Sequence, residues 1–225
     1  YFSGELGSAG REPWITDGTL PGTRLLKDIS PTGSSHPTVI GHTPHGIIIS
    51  ASDDAVGREL WITDGTEEGT QLLKDIAPGI LDSSLESVIT STFDADLAVQ
   101  ETLFVWLQNG EGRELWGTDG TAAGTVRLTD YVFSEQVELN AIQPLANGMQ
   151  ALAFSGSAAD HRIVISDGTE AGTNVIDSLP ENGRIAELSA SPVESRLLAV
   201  RLASNEIYLV NQTDGSSMQV WSEDD

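Results

Sequence analysis

Gly57-Arg-Glu-Leu-Trp-Ile-Thr-Asp-Gly-Thr-Glu-Glu-Gly-Thr70 runs directly into Gln71-Leu-Leu-Lys-Asp-Ile76. The stretch is one of a series. Gly10-Arg-Glu-Pro-Trp-Ile-Thr-Asp-Gly-Thr-Leu-Pro-Gly-Thr23 precedes it and Gly112-Arg-Glu-Leu-Trp-Gly-Thr-Asp-Gly-Thr-Ala-Ala-Gly-Thr125 follows. Ser166-Asp-Gly-Thr-Glu-Ala-Gly-Thr173 is a weaker fourth copy. The turn aspartates Asp17, Asp64, Asp119 and Asp167 recur about every 50 residues, and Asn211 takes the same place in a divergent fifth copy. A period of that length, filled with short strands, is the sequence mark of a propeller.

One full copy, from Thr38 to Ile76, predicts four strands: Thr38–Thr43, Gly46–Ala51, Arg58–Thr63 and Thr70–Ile76. Each is rich in branched or aromatic residues and is bounded by Gly, Pro, Asp or Ser. Asp-Gly-Thr-x-x-Gly-Thr joins the third strand to the fourth. Its Asp suits bonding to backbone N–H groups ahead of it, and its Gly accepts positive φ. The turns therefore have a structural explanation, and one Asp per turn supplies too few oxygens for a ring of calcium sites. Trp14, Trp61 and Trp116 share one repeat position, where a large ring fills the space between neighbouring sheets; stacking on carbohydrate is the alternative use. The Arg–Glu pair before each Trp reads as a strand-start pair facing solvent or the next blade, worth little energetically.

The copies differ. Tyr1-Phe-Ser-Gly4 aligns with the second strand of a copy, so the first copy has three strands, and a residue run before Tyr1 would supply the fourth. Pro13 lacks a ladder donor and suits a strand end or an edge. Leu81 to Gln100 is an insertion. The units are 1–37, 38–84, 85–138, 139–184 and 185–225. The expectation is one all-β domain, a propeller of about five four-stranded blades with the first incomplete. Its open edge is a place for a partner's strand.

Composition limits the function classes. Lys and Arg number 11 against 34 Asp and Glu, a net charge of −23. That field repels nucleic acid and anionic lipid and attracts cations and basic partners; it also suits solubility in a saline exterior. There is no cysteine, hence no disulfide framework or thiol metal site. No apolar run reaches the ~20 residues of a membrane-spanning helix. With no signal peptide and Tyr1 at the start, the chain reads as a processed protein or a fragment.

Glu59-Leu-Trp-Ile-Thr-Asp-Gly-Thr66, Glu114-Leu-Trp-Gly-Thr-Asp-Gly-Thr121 and, with one departure, Glu12-Pro-Trp-Ile-Thr-Asp-Gly-Thr19 resemble the ELWxxDGT repeat proteins over residues 1–130. The resemblance implies a bacterial protein outside the cell or at its surface, with the periplasm as alternative, and a propeller array. It supplies no catalytic residue.

Few other clusters suggest chemistry. Asp53-Asp54 and Asp94-Ala-Asp96 are acidic loop pairs suited to calcium; the expectation is no cofactor, with calcium as the alternative. His42 and His45, with His36 nearby, have the ligand type for a transition metal. The Gly-x-Ser-x-Gly, Walker and His-Glu-x-x-His motifs are absent. The expected function is a non-catalytic extracellular binding or structural module, alone or as one subunit of a larger assembly, with a protein or glycan partner. A carbohydrate-active enzyme or lectin using rim carboxylates and Trp is the alternative, by fold analogy.

Overall fold

The computed structural model describes residues 1–5, 7, 10–78, 84–90, 103–109, 112–129, 133, 137–145, 148–156, 161–180, 184–190, 197–213 and 215–222. The chain divides into two compact units, Tyr1–Arg127 and Leu128–Asp225.

The first unit holds three antiparallel sheets. Sheet A is β1 (Phe2–Glu5), β2 (Arg11–Ile15) and β3 (Arg24–Leu25), in that order. Sheet B is β4 (Thr38–Thr43), β5 (Gly46–Asp53), β6 (Gly57–Thr63) and β7 (Gln71–Lys74). Sheet C is β8 (Ser84–Thr90), β9 (Leu103–Asn109), β10 (Gly112–Thr118) and β11 (Val126–Arg127). The second unit holds two. Sheet D is β12 (Glu138–Pro144), β13 (Gln150–Ser155), β14 (His161–Ser166) and β15 (Asn174–Ile176). Sheet E is β16 (Ile185–Ala190), β17 (Leu197–Leu202), β18 (Ile207–Asn211) and β19 (Ser217–Trp221). In every sheet, strands that follow one another in sequence are hydrogen-bonded antiparallel neighbours, so each is a simple meander.

Side-chain alternation builds the core. In sheet B, Ile48 pairs with Ile62 and Ile49 with Trp61, so adjacent residues face opposite sides. Ile49, Ala51 and Trp61 pack with Ile29, which follows sheet A. Ile48, Leu60, Ile62, Leu73 and Ile76 pack on the other side with Val105 of sheet C, and Trp116 joins them. Both faces of sheet B are thus covered, as expected of a Trp wedged between sheets. In the second unit, Ile163 and Ile165 of sheet D share a core with Leu198, Val200, Tyr208 and Val210 of sheet E. Tyr208 holds the Trp position there.

Two readings need correction here. The propeller expectation is overturned: among the described residues the strands form five separate open sheets in two compact units, none closed on itself. The repeat specifies a meander of about 50 residues, whereas closing a ring requires long-range contacts that no local repeat encodes. Pro13 also lies inside β2, the middle strand of sheet A, and not at an edge. Its carbonyl accepts from Leu26 N at 2.9 Å, one residue beyond the short β2–β3 pairing, so the missing donor falls where that ladder has ended.

Candidate functional site

The recurring polar residues were the candidates for chemistry, and the structure shows where their atoms go. In the turn after β6, Asp64 Oδ1 accepts from Thr66 N at 2.8 Å and from Thr66 Oγ1 at 2.7 Å. Thr66 Oγ1 accepts in turn from Gly69 N at 2.9 Å, and Thr70 Oγ1 donates to Thr66 O at 2.6 Å. Thr63 Oγ1 accepts from Gly65 N at 3.1 Å and lies 2.7 Å from Thr70 Oγ1. The same bonds recur around Asp17, Asp119 and Asp167. Asn211 keeps a single remnant, accepting from Thr213 N at 2.8 Å.

The two glycines of each turn serve different ends. Gly65 has φ of 93°, in the left-handed region that glycine alone enters without strain. Gly69 is needed for space: a Cβ there would lie 2.0 Å from Asp64 Oδ1. Sequence reading gave the turn's glycine its positive φ and missed that the second glycine makes room for the carboxylate.

The motif glutamate was misread outright. Glu12 and Glu59 are fully buried and Glu114 nearly so, which corrects the solvent-facing reading and its small energetic weight. Glu59 accepts from Ile76 N at 2.8 Å and Ala77 N at 2.9 Å, fastening the segment after β7. Glu12 accepts from Ile29 N at 2.9 Å and Ser35 N at 2.8 Å, fastening the equivalent segment after β3. These fastened straps carry Ile29 and Ile76, the side chains that cover the next sheet. Glu114 instead takes Trp116 Nε1 at 3.0 Å and Arg127 Nη1 at 2.9 Å. The three-fold recurrence of Glu, always ahead of a Leu-x-Asp-Ile or related strap, was the available signal.

The remaining candidates are placed as follows. Asp54 reaches back to the strap of sheet A, taking Thr32 Oγ1 at 2.7 Å and Ser30 Oγ at 3.1 Å, while Asp53 Oδ1 accepts from Ala55 N at 2.7 Å. Asp94 and Asp96 lie outside the described residues. His42 is an exposed residue of β4, and His45 sits at the β4–β5 turn with Nδ1 3.1 Å from Asp119 O. Among the described residues, no three His, Asp or Glu side chains converge to hold an ion.

A series of cross-sheet bonds grips the Asp-Gly turns. Arg24 Nη2 donates to Gly65 O at 2.8 Å, His45 meets Asp119 O, and Ser178 Oγ donates to Gly215 O at 2.6 Å. Between the turns of sheets B and C lies a groove of about 380 Å³, lined by His45, Asp64, Gln71 and Thr121. Asp64 and His45 are its ionisable lining residues, a combination suited to a cationic, hydrogen-bonding group.

Hydrogen bonding holds three carboxyls below their usual range: the Thr19 hydroxyl acts first on Asp17, the Thr32 hydroxyl on Asp54 and the Thr66 hydroxyl on Asp64. A depressed folded value means stability that is fully present above the unfolded carboxyl value of about 3.9 and is lost as pH falls through the folded values. Thermal melts should therefore decline progressively below about pH 4. Asp64→Asn keeps an acceptor without titrating and should remove its share of that slope. A melting temperature flat through this window would refute the role.

Among the described residues no helix is long and apolar enough to cross a membrane, which says nothing of strands. No family model matches the chain, and no curated protein does. The chain is similar to one in the crystal structure of a nidogen/laminin complex, at 12% identity and a TM-score of 0.37, covering 79% of this chain and 60% of that one. It is also similar to one in a structure of BBS1N in complex with ARL6DN, at 13% identity and a TM-score of 0.33, covering 77% and 49%. At those scores neither likeness carries an argument. The ELWxxDGT resemblance accordingly rests on its quoted motifs, and the bacterial source and secretion it implied find no support in these comparisons.

Proposed function

We propose that the chain is a non-catalytic binding module that contributes a rigid acidic surface to a larger assembly. The observation behind this reading is the internal use of the repeated motif: Asp64 and its equivalents hold turns, and Glu12 and Glu59 hold straps. What the repeat leaves outward is its charge, −23 over the chain, and the groove beside Asp64 and His45. A saline exterior is the setting we assign to such a surface, and a basic protein segment is the partner, inserting a Lys or Arg side chain between the two turns.

Titration with Lys/Arg-rich peptides tests this. Binding is expected at about 20 mM salt, with affinity falling at least about tenfold by 300 mM as screening shortens the field. Asp64→Asn should weaken it further. Absence of binding at low salt, or affinity indifferent to Asp64→Asn, would reject the groove as the site. The glycan reading is less favoured because Trp61 is packed between sheets and offers no face for a sugar.

A further inference from the structure

Leu25-Leu-Lys-Asp-Ile29, after the turn of sheet A, is repeated residue for residue by Leu72-Leu-Lys-Asp-Ile76 after the turn of sheet B. The residue just ahead of each differs. Arg24 of β3 pairs with Ile15 of β2, and Gln71 of β7 pairs with Ile62 of β6, so the two hold the same place in their sheets. From that place Arg24 extends to the next turn, where Nη2 donates to Gly65 O at 2.8 Å. Gly120 is the counterpart of Gly65 one sheet further on. Their φ values of 93° and 92° give the two turns the same backbone.

The A–B junction is therefore bridged by a guanidinium, and the B–C junction places Gln71 in the same position. A glutamine side chain is shorter than that of arginine and carries no charge. Gln71 is exposed, and it lines the groove of about 380 Å³ together with Gly120. Asp64, also on the lining, adds a carboxylate held in place by its bonds to Thr66. His45 Nδ1 lies 3.1 Å from Asp119 O, which fixes the backbone just before Gly120.

We infer that the groove between the turns of sheets B and C receives an arginine side chain of a partner protein, its guanidinium donating to Gly120 O as Arg24 donates to Gly65 O. The chain thus carries an internal copy of its own ligand at the A–B junction. A guanidinium holds several N–H donors in one rigid plane, and it can serve the carbonyl and the Asp64 carboxylate together. A lysine ammonium is a compact, strongly hydrated charge and matches that pair less well. The inference rests on the reading of the chain as a binding module for a basic segment, and it narrows the group bound from any cationic side chain to arginine.

Calorimetric titration of the 225-residue chain with two peptides, identical except that one carries Arg wherever the other carries Lys, tests it. At about 20 mM salt the arginine peptide should bind at least about fivefold more tightly. Gln71→Arg copies Arg24 into sheet B and should fill the groove from within. Its affinity for the arginine peptide should fall at least about tenfold, and the preference for arginine should disappear. Gln71→Lys adds the same charge without the guanidinium, so it should weaken both peptides alike and keep the preference. Circular dichroism of both variants should match the wild type, since position 71 is exposed. Equal affinity of the wild type for the two peptides overturns the inference and leaves the broader reading standing. A preference that survives Gln71→Arg also overturns it, because the arginine would then bind elsewhere on the acidic surface. Binding of neither peptide overturns both.

Discussion

Glu59→Ala is expected to destabilise the Tyr1–Arg127 unit by about 2–5 kcal/mol, because it takes the acceptor from two backbone donors, Ile76 N and Ala77 N, at a fully buried site. A loss of that size should lower the unit's melting temperature by about 10 °C or more. The damage should spread forward. The strap that Glu59 holds carries Ile76 into the core shared with Val105, so sheet C should lose hydrogen-exchange protection along with sheet B. Glu59→Gln keeps one acceptor oxygen and should fall between wild type and Ala. Glu187→Ala is the control: it breaks an ion pair with Arg201 that is about half exposed on both sides, and should cost well under about 1 kcal/mol. Equal effects from Glu59→Ala and Glu187→Ala would show that the buried carboxylate carries no special weight.

Gly69→Ala is the second large effect, roughly 1–3 kcal/mol, from forcing a methyl group into the place of the Asp64 carboxylate. The cause is a specific collision, so it can be separated from a general loss of turn flexibility. In an Asp64→Ala background the methyl has nothing to strike, and the penalty for Gly69→Ala should shrink. Gly65→Ala should behave differently, since its cost comes from φ of 93° and is independent of the Asp64 side chain. A double-mutant cycle on thermal or denaturant melts reads the difference. If Gly69→Ala costs the same with and without the carboxylate, the collision is not its cause.

These two positions also show how far the sequence could be read. The turn was legible because its logic is local: Asp64 to Thr66 and Thr66 to Gly69 are bonds between residues two and three apart, and Asp and Gly advertise them. The meanders were legible through branched and aromatic runs bounded by turn residues, such as Gly46–Ala51. The Glu strap was not, because alternation assigns a face and does not say which backbone will arrive there. Glu59 and Ile76 are 17 residues apart, and the bond exists only once the segment after β7 folds back over β6. The propeller expectation failed for a related reason. Repetition specifies each sheet and its nearest neighbour, while closure depends on long-range contacts that no local pattern encodes. The groove at His45 was half visible. Its histidine was singled out as a metal ligand, but its contact with Asp119 O, 74 residues away, follows only from the placement of sheet C beside sheet B.

The straps make assembly directional. The straps after sheets A and B each leave their own sheet and lie on the next, so Ile29 waits for Trp61 and Ile76 for Trp116. A chain emerging from the ribosome finishes a sheet, fastens its strap, and so has a prepared surface ready for the strands still being made. Contacts of this kind are short in sequence and favour stepwise growth over a single late collapse. Synthesis in the opposite sense, were it available, would expose Trp61 and Trp116 before their covers existed.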